Sequence, residues 1–352
     1  MDHPDRSCSN LHFSTRMTST AIPDKAASPR VVLFMSTPSA GEIPLTASLP
    51  ASLLPFGCVT FAEQVLDSCA RAGLKEVDLV MSEQPEALRA HLADGWRWGI
   101  TLNWHLAKES ATPYGFLHSM SLSEGQRVLI GHGDRWVADS VVRELVEADR
   151  VALHVGQSVE WSGWASVAGS FLRTFPSHAD FESLGNHMVG QPSERFLMVP
   201  KGQFACAGTA DDLMRAQEIA LSNESGLHVP ATWLRFPWGA MSPDARVHAQ
   251  ADIRGPVLIG PRCSVDRKAR IGPGSVLSRD VLVASGAVIR EALVLPDTYL
   301  SGGVTLEHSV IQGNVVQDLR WAARLTLPQN DGVLGTLKSS SVPHAGWAGR
   351  VL

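Results

Sequence analysis

Aliphatic residues recur at every sixth position near the C-terminal end of the chain, and this period constrains the fold more than any other feature. A period of six fits neither an α-helix, which repeats every 3.6 residues, nor an isolated strand, which repeats every two. It fits a β-helix of hexapeptide repeats, in which three short strands form one triangular coil of about 18 residues, so that residues 245–318 would make about four coils. The repeating positions are Val247, Ile253, Ile259, Val265, Ile271, Leu277, Val283, Ile289 and Leu295.

A second series of residues follows four positions after each aliphatic one, and turn-forming pairs separate the hexads. These pairs are expected at the corners of the coil, where the chain bends. Such a coil needs a cap, and we expect a helical cap over residues 317–325 and a loose tail after Pro328. The second series is Ala251, Val257, Cys263, Ala269, Ser275, Val281, Ala287, Leu293 and Tyr299, and the pairs are Gly255-Pro256, Gly260-Pro261, Gly272-Pro273 and Ser285-Gly286.

Residues 31–230 alternate strand-like and helix-like segments, which predicts an α/β domain on a mainly parallel sheet. A helix is expected over residues 60–74, because Thr60 and Glu63 form a capping pair and Gly73 follows the last turn. Ligands of such sheets bind beyond the carboxyl ends of the strands. Strands are expected at residues 31–35, 76–81, 100–106 and 127–131, and a helix at 139–149.

The composition argues against nucleic-acid binding and against a membrane span. The 352 residues carry 30 basic and 35 acidic side chains, a net charge of -5, and no basic cluster. No apolar run approaches the roughly 20 residues that a bilayer crossing needs. The five cysteines are scattered without a C-x-x-C pair, which favours a reducing, cytoplasmic compartment. Residues 1–30, rich in Ser, Asp and Pro, are expected to be a disordered leader.

Several motifs, taken in order, resemble the sugar-nucleotidyltransferase family, the NDP-sugar pyrophosphorylases. They are "PLT" at residues 44–46, "PASLLP" at 50–55, "HLADGWRWGITLNWHLAKE" at 91–109, "GHGDRW" at 131–136 and "GTADDLMRAQEIAL" at 208–221. The resemblance implies an α/β fold class: a Rossmann-like nucleotidyltransferase domain at residues 31–240, followed by a left-handed β-helix with its cap at 241–325 and a tail at 326–352. It also implies oligomers formed through the β-helix.

Members of that family join a sugar 1-phosphate to a nucleoside triphosphate and release pyrophosphate. Catalysis there is positioning and charge neutralisation. A Gly-rich loop brings backbone N–H groups to the phosphates, an Arg in the loop and a Lys beyond it offset charge, and two Asp residues hold Mg²⁺.

This sequence departs from the pattern in the phosphate loop. Thr37 and Ser39 stand where the two glycines belong, and Gly41 stands where the Arg belongs. Ala51 occupies the Lys position of "P-K-P-L-L-P". The loop therefore lacks both the donor geometry and the charge that a phosphate requires.

The metal and base positions are altered as well. Asp134 matches the first metal Asp and could ligate Mg²⁺, whereas Cys206 stands at the second, and a thiol is a poor ligand for that hard cation. "TPYG" at residues 112–115 replaces the family's base-recognising "GTAG". We predict a vestigial nucleotide or sugar site without a convincing catalytic residue. Its residues are Gly41, Gly115, Asp134, Gly208 and Thr209, with Asp134 as the metal position.

The preferred hypothesis is a catalytically degenerate relative that acts as a regulatory or assembly subunit in nucleotide-sugar or polysaccharide synthesis. Its expected partners are a nucleotide or nucleotide-sugar and further subunits in a homo- or hetero-oligomer, one of which could be an active nucleotidyltransferase.

Two alternatives stay open. One is an active, Mg²⁺-dependent enzyme in which Lys108 or Lys201 replaces the missing cations. The other is a hexapeptide acyltransferase with His308 as general base. For three further features a structural role is favoured over a functional one. Cys206 could be a nucleophile but is expected to fill space, and His132 could be a general base but is expected to be a loop residue. Trp96, Trp98 and Trp104 could form a sugar platform but are expected to serve packing.

Overall fold

The computed structural model describes residues 28–35, 49–107, 112–122, 126–148, 151–155, 161–172, 174–175, 178–189, 195–200, 202–222, 227, 229–328 and 332–337. Most of the expected leader and the whole of the phosphate loop from Ser36 to Ala47 lie outside these ranges, as do Lys108 and Lys201.

The N-terminal part alternates strands and helices as the sequence predicts. Three 3-10 turns lie at Ala51–Leu53, Trp96–Trp98 and Pro113–Gly115. The strands are β1 (Arg30–Phe34), β2 (Pro55–Phe56), β3 (Val59–Thr60), β4 (Glu76–Met81), β5 (Thr101–Leu106), β6 (Arg127–His132), β7 (Arg135–Val137), β8 (Val151–Val155), β9 (Trp161–Ala168), β10 (Arg195–Val199) and β11 (Phe204–Cys206). The helices are α1 (Phe61–Arg71), α2 (Pro85–Leu92), α3 (Phe116–Ser119), α4 (Asp139–Glu147), α5 (Gly169–Leu172), α6 (Phe181–Val189) and α7 (Ala210–Leu221).

The main sheet has the order β10-β8-β9-β6-β1-β4-β5. Strands β6, β1, β4 and β5 are parallel, so their carboxyl ends lie at one edge. Strand β9 runs antiparallel to both of its neighbours, β6 and β8. The sheet is therefore mainly parallel along this path, as predicted, with β9 as its one antiparallel strand. The connection from β8 to β9 is too short for the crossover that a parallel pair requires.

Helix α1 confirms the capping prediction at its first turn. The Thr60 side chain accepts from the Glu63 backbone N–H at 3.3 Å, and the Glu63 carboxylate accepts from the Thr60 N–H at 2.8 Å. The expected strands at 31–35, 76–81, 100–106 and 127–131 correspond to β1, β4, β5 and β6, and the helix expected at 139–149 is α4.

The C-terminal part is a stack of short strands that pair at the interval the hexads predict. Arg246 pairs with Ser264 and Ser264 pairs with Leu282, each 18 residues apart and parallel. This spacing fits three strands per coil. The strands are β12 (Leu234–Phe236), β13 (Gly239–Met241), β14 (Arg246–Val247), β15 (Asp252–Ile253), β16 (Val257–Ile259), β17 (Ser264–Val265), β18 (Arg270–Ile271), β19 (Ser275–Leu277), β20 (Leu282–Val283), β21 (Val288–Val294), β22 (Thr298–Leu300), β23 (Thr305–Gln312), β24 (Val315–Asp318), β25 (Ala323–Thr326) and β26 (Leu334–Thr336).

The hexad residues from Ile259 to Ile289 are buried in one continuous core inside the stack. The register then slips by one residue, because Leu277 pairs with Val294, 17 positions later. The chain absorbs the missing residue at Glu291, whose φ is +44°. Val294 consequently points inward in place of Leu295, and Leu295 joins the core of the N-terminal part.

The expected helical cap is wrong, because residues 315–326 form a β-hairpin. Strand β24 pairs with the open edge of β23, and β25 pairs with β24, both antiparallel. The Asp318 carboxylate accepts from the backbone N–H groups of Arg320 (2.9 Å) and Trp321 (3.3 Å), a local bond pattern that competes with helix. The predicted tail also contributes a strand, since β26 pairs with β22.

The two parts share one hydrophobic core. The outer face of the coil contributes Leu258, Val276 and Leu293 to the same buried cluster as α1, α4 and α7. The strand stack therefore packs directly against the helices on one face of the main sheet.

Candidate functional site

Asp134 and Cys206, the two predicted metal positions, lie side by side at the carboxyl edge of the main sheet. Asp134 occupies the turn between β6 and β7, and its backbone oxygen accepts from the N–H of Ala207 at 3.0 Å. Cys206 ends β11 and pairs with Arg135 on β7. The fold thus brings together two positions that are 72 residues apart in the sequence.

The donor set at this point does not suit Mg²⁺. Burial, followed by the charge of Asp212, raises the pKa of the Cys206 thiol to about 11, so the thiol is neutral at physiological pH. That leaves the buried Asp134 as the one hard ligand of the predicted pair. In the described part of the chain, no three His, Cys, Asp or Glu side chains are grouped as a metal site. The same neutral thiol disfavours Cys206 as a nucleophile.

Thr209 is the N-cap residue of α7, and Gly208 directly precedes it. The Thr209 hydroxyl accepts from the Asp212 N–H at 3.1 Å and donates to the Asp212 carboxylate at 2.8 Å. Asp211 and Asp212 occupy the first helical turn, where the helix dipole favours negative charge. The site residue Thr209 therefore has a structural role in the fold.

His132 is a buried strand residue rather than the loop residue that the sequence suggested. Its Nδ1 lies 2.7 Å from the Gly163 carbonyl, which can only accept, so Nδ1 carries the proton. Its Nε2 accepts from the Tyr114 hydroxyl at 2.8 Å. Burial and the charge of Arg135 lower the pKa of His132 to about 3. The imidazole is neutral, and both of its nitrogens are occupied.

Gly115 lies in the wall of a cleft of about 500 Å³ at the carboxyl end of β5. The wall combines aromatic rings with two imidazoles: its residues include Trp104, His105, Leu106, Thr112, Phe116 and His178. The His105 and Phe116 rings lie 4.6 Å apart. Aromatic surface with a few polar groups is typical of a small-molecule pocket.

His105 is oriented in this cleft by hydrogen bonds that link it through Asp78 to Arg30, an arrangement that the sequence did not predict. The buried Asp78 carboxylate accepts from His105 Nε2 and from Arg30 Nε, both at 2.7 Å. Burial opposes ionisation of Asp78, but the bonds from Arg30 and His105 outweigh it and lower the pKa of Asp78. The signal in the sequence was a lone Asp inside the apolar strand β4.

The structure separates the other candidates. Trp96 is exposed on its 3-10 turn, Trp98 stacks with Arg97, and Trp104 stacks with Arg89. These tryptophans do not form one platform.

His308 lies on the strand stack, where its Nε2 is 2.5 Å from the Glu291 carboxylate. Both side chains are about half exposed. The acyltransferase alternative stays a prediction.

Gly41 lies outside the described residues. Within the described ranges, no helix combines the length and the apolar character that a bilayer crossing requires.

No protein-family model matches the chain. Among solved structures, the chain is similar to a Bacillus anthracis protein assigned as a glucose-1-phosphate thymidylyltransferase, solved in complex with sucrose. The identity is 12%, the TM-score is 0.48, and the match covers 58% of this chain and 98% of that one.

Proposed function

We propose that this chain is a catalytically degenerate relative of the sugar-nucleotidyltransferases, which binds a nucleotide or nucleotide-sugar and acts as a regulatory or assembly subunit. The observation that carries the proposal is that Cys206, and not a carboxylate, lies beside Asp134 at the carboxyl edge of the sheet. A neutral thiol at the second metal position removes the pair of carboxylates that would hold Mg²⁺ against a triphosphate.

Ligand binding in this proposal uses the cleft beside Gly115. A nucleobase would stack on the aromatic rings of the cleft wall, and the imidazole that Asp78 orients would supply a polar contact. In this proposal the site keeps the backbone positions of the family but lacks its catalytic groups. Its residues are Gly115, Asp134, Gly208 and Thr209.

The proposal extends to the organisation of the chain. Residues 31–240 would form the nucleotidyltransferase-like domain and residues 241–325 a left-handed β-helix that mediates homo- or hetero-oligomers in the cytoplasm. An active nucleotidyltransferase is one expected partner.

An active enzyme with a rebuilt phosphate site is the second candidate. It is favoured by one observation: Arg135 lies at the carboxyl edge, and its buried Nε has no hydrogen-bond partner among the described residues.

A pyrophosphate-release assay separates the two candidates. The purified chain would be mixed with Mg²⁺, each nucleoside triphosphate and a panel of sugar 1-phosphates. We expect no turnover, together with calorimetric binding of nucleotides or nucleotide-sugars. Robust pyrophosphate release would overturn the hypothesis that the chain is catalytically degenerate. Cys206→Asp restores the second carboxylate and is expected to add Mg²⁺-dependent nucleotide affinity, whereas Cys206→Ser is the matched control without a charge.

A further inference from the structure

Arg135 occupies a fixed position at the carboxyl edge, directly after Asp134. It is the first residue of β7 and pairs with His132 on β6 and with Cys206 on β11. Its backbone oxygen accepts from the indole N–H of Trp164 at 2.7 Å. The backbone that carries the guanidinium is therefore held by three neighbouring strands.

The side chain is positioned by packing. The guanidinium lies over the ring of Phe181, with its central carbon 4.2 Å from the ring centroid. The aliphatic stem runs past Gly163, where any Cβ would approach Arg135 Cδ to 2.7 Å. Gly163 also has a φ of +93°, so two separate constraints keep this position a glycine. The space beside Gly163 thus accommodates the arginine.

The guanidinium has no acceptor in the part of the chain that the structure describes. Nε of Arg135 is fully buried and has no hydrogen-bond partner, although the side chain as a whole keeps partial exposure. An arginine does not lose its proton, so leaving the buried Nε–H without an acceptor is costly. By contrast, Arg30 bonds to Asp78, and Arg127 bonds to the Ala148 carbonyl at 2.6 Å.

The missing acceptor identifies the class of ligand. A planar guanidinium binds phosphate or carboxylate oxygens through two parallel hydrogen bonds, which a lysine cannot reproduce. The cation is poised at the edge where the strand ends of a parallel sheet place ligands. The charge of Arg135 already acts on this edge: after burial, it is the next cause of the lowered pKa of His132.

We propose that Arg135 is the anion-binding residue of this site and that it contacts a phosphate group of the bound nucleotide or nucleotide-sugar. This inference rests on the proposed function for the identity of the ligand. It gives the site a cation that the sequence comparison with the family places elsewhere, in a loop that here has no Arg or Lys.

Calorimetric titration of Arg135→Gln tests the inference. The probes are GDP, UDP, dTDP, the corresponding nucleosides and inorganic pyrophosphate. Because a charged hydrogen bond contributes about 1.5 to 3 kcal/mol, the Kd of the diphosphates is expected to rise by roughly 10- to 100-fold, with nucleoside binding unchanged.

Two further variants sharpen the result. Arg143→Gln removes an equal charge from the surface of α4, where Arg143 pairs with Asp139, and should leave the Kd unchanged. Arg135→Lys keeps the charge without the planar fork and should lie between wild type and Arg135→Gln; it also serves if Arg135→Gln does not fold.

Each outcome has a separate meaning. Equal diphosphate affinity in wild type and Arg135→Gln overturns the role of Arg135 and leaves the proposed function standing. Binding of pyrophosphate but not of nucleotides, with dependence on Arg135, supports the anion site and overturns the proposed function. Failure of the wild-type chain to bind either class of probe overturns both.

Discussion

At the scale of single residues, the buried polar groups behind the candidate site determine how rigidly it is built. His132 is completely buried and fixed in one tautomer by Gly163 and Tyr114. Its ring also contacts Phe34, Trp161 and Phe181, the last of which supports Arg135. The neutral imidazole thus links the strands of the sheet to the ring beneath the guanidinium.

Tyr114→Phe should destabilise the fold measurably. The substitution removes the hydroxyl that donates to His132 Nε2 and leaves a buried acceptor unpaired, at a cost of about 1 to 3 kcal/mol. Urea unfolding would measure the change in free energy. Tyr299→Phe, at a half-buried tyrosine on β22, is the matched control and should change stability by less than about 0.5 kcal/mol. Equal stability of the two variants would contradict the hydrogen bond.

His132 should make the protein sensitive to acid. Its pKa is depressed to about 3 in the folded chain, against about 6.5 when unfolded. Between these values the unfolded chain binds a proton that the folded chain does not, so stability is complete above about pH 6.5 and is lost as pH falls toward 3. The group contributes a slope of up to about 1.4 kcal/mol per pH unit.

Urea unfolding from about pH 7 to about pH 5 checks this slope, since that range brackets the ordinary titration of histidine. His132→Gln should flatten it, and His118→Gln, at an exposed histidine, should not. An unchanged slope in His132→Gln would show that His132 is not the group responsible for the acid sensitivity.

Single positions were predictable where the signal is local. Thr60 and Glu63 lie three residues apart, and their capping box formed as expected. The contact of Arg30 with Asp78 spans 48 residues, and that of Tyr114 with His132 spans 18, so neither follows from spacing along the chain. These contacts form because the tertiary fold brings distant segments of the chain together. Asp134 and Cys206 were found only because a family pattern named both positions in advance.

At the scale of elements, α7 is connected to the segment that follows the predicted phosphate loop. The buried Gln217 side chain accepts from the Gly57 N–H and donates to the Pro55 carbonyl, both at 2.9 Å. One side chain thereby satisfies two backbone groups of the β2–β3 hairpin, 160 or more positions away. It holds the hairpin against the helix whose N-terminus Thr209 caps.

Gln217→Leu should cost about 2 to 4 kcal/mol, because it leaves a buried donor and a buried acceptor without partners. The free energy of unfolding by urea measures the loss. Gln203→Leu is the matched control: its side-chain oxygen has one long contact, 3.5 Å from the Ser140 hydroxyl, and the expected change is below about 0.5 kcal/mol. A small effect at Gln217 would show that the hairpin is held by apolar packing alone.

Periodicity predicted the elements well where one face dominates. The hexads predicted the strands from β16 to β20 correctly, because the aliphatic residue of each hexad lies in the one core inside the coils. The period could not reveal the register slip at Glu291, since both Val294 and Leu295 are aliphatic and both are buried, in different cores. The hairpin at β24 and β25 was missed because open strand edges attract pairing, which local helix propensity does not register.

At the scale of the whole molecule, the apolar contact between the strand stack and the sheet determines whether the chain unfolds as one unit. Leu258, Val276 and Leu293 belong to the core that also contains the helices α1, α4 and α7. The stack has a second core of its own, inside its coils. We therefore expect the two parts to unfold together as long as the contact between them is intact.

Val276→Lys should uncouple the two parts. Val276 is fully buried at their contact, and a charge there lacks a partner, so the contact is lost while the interior of the coils is unaffected. Hydrogen exchange followed by mass spectrometry across a urea series reports β1–β6 and β16–β23 separately. We expect coincident transitions in the wild type and two separated transitions in the variant. Val283→Ala, inside the coil core, is the control: it should lower the midpoint of both parts together. Coincident transitions in Val276→Lys would mean that contacts other than this apolar face couple the two parts.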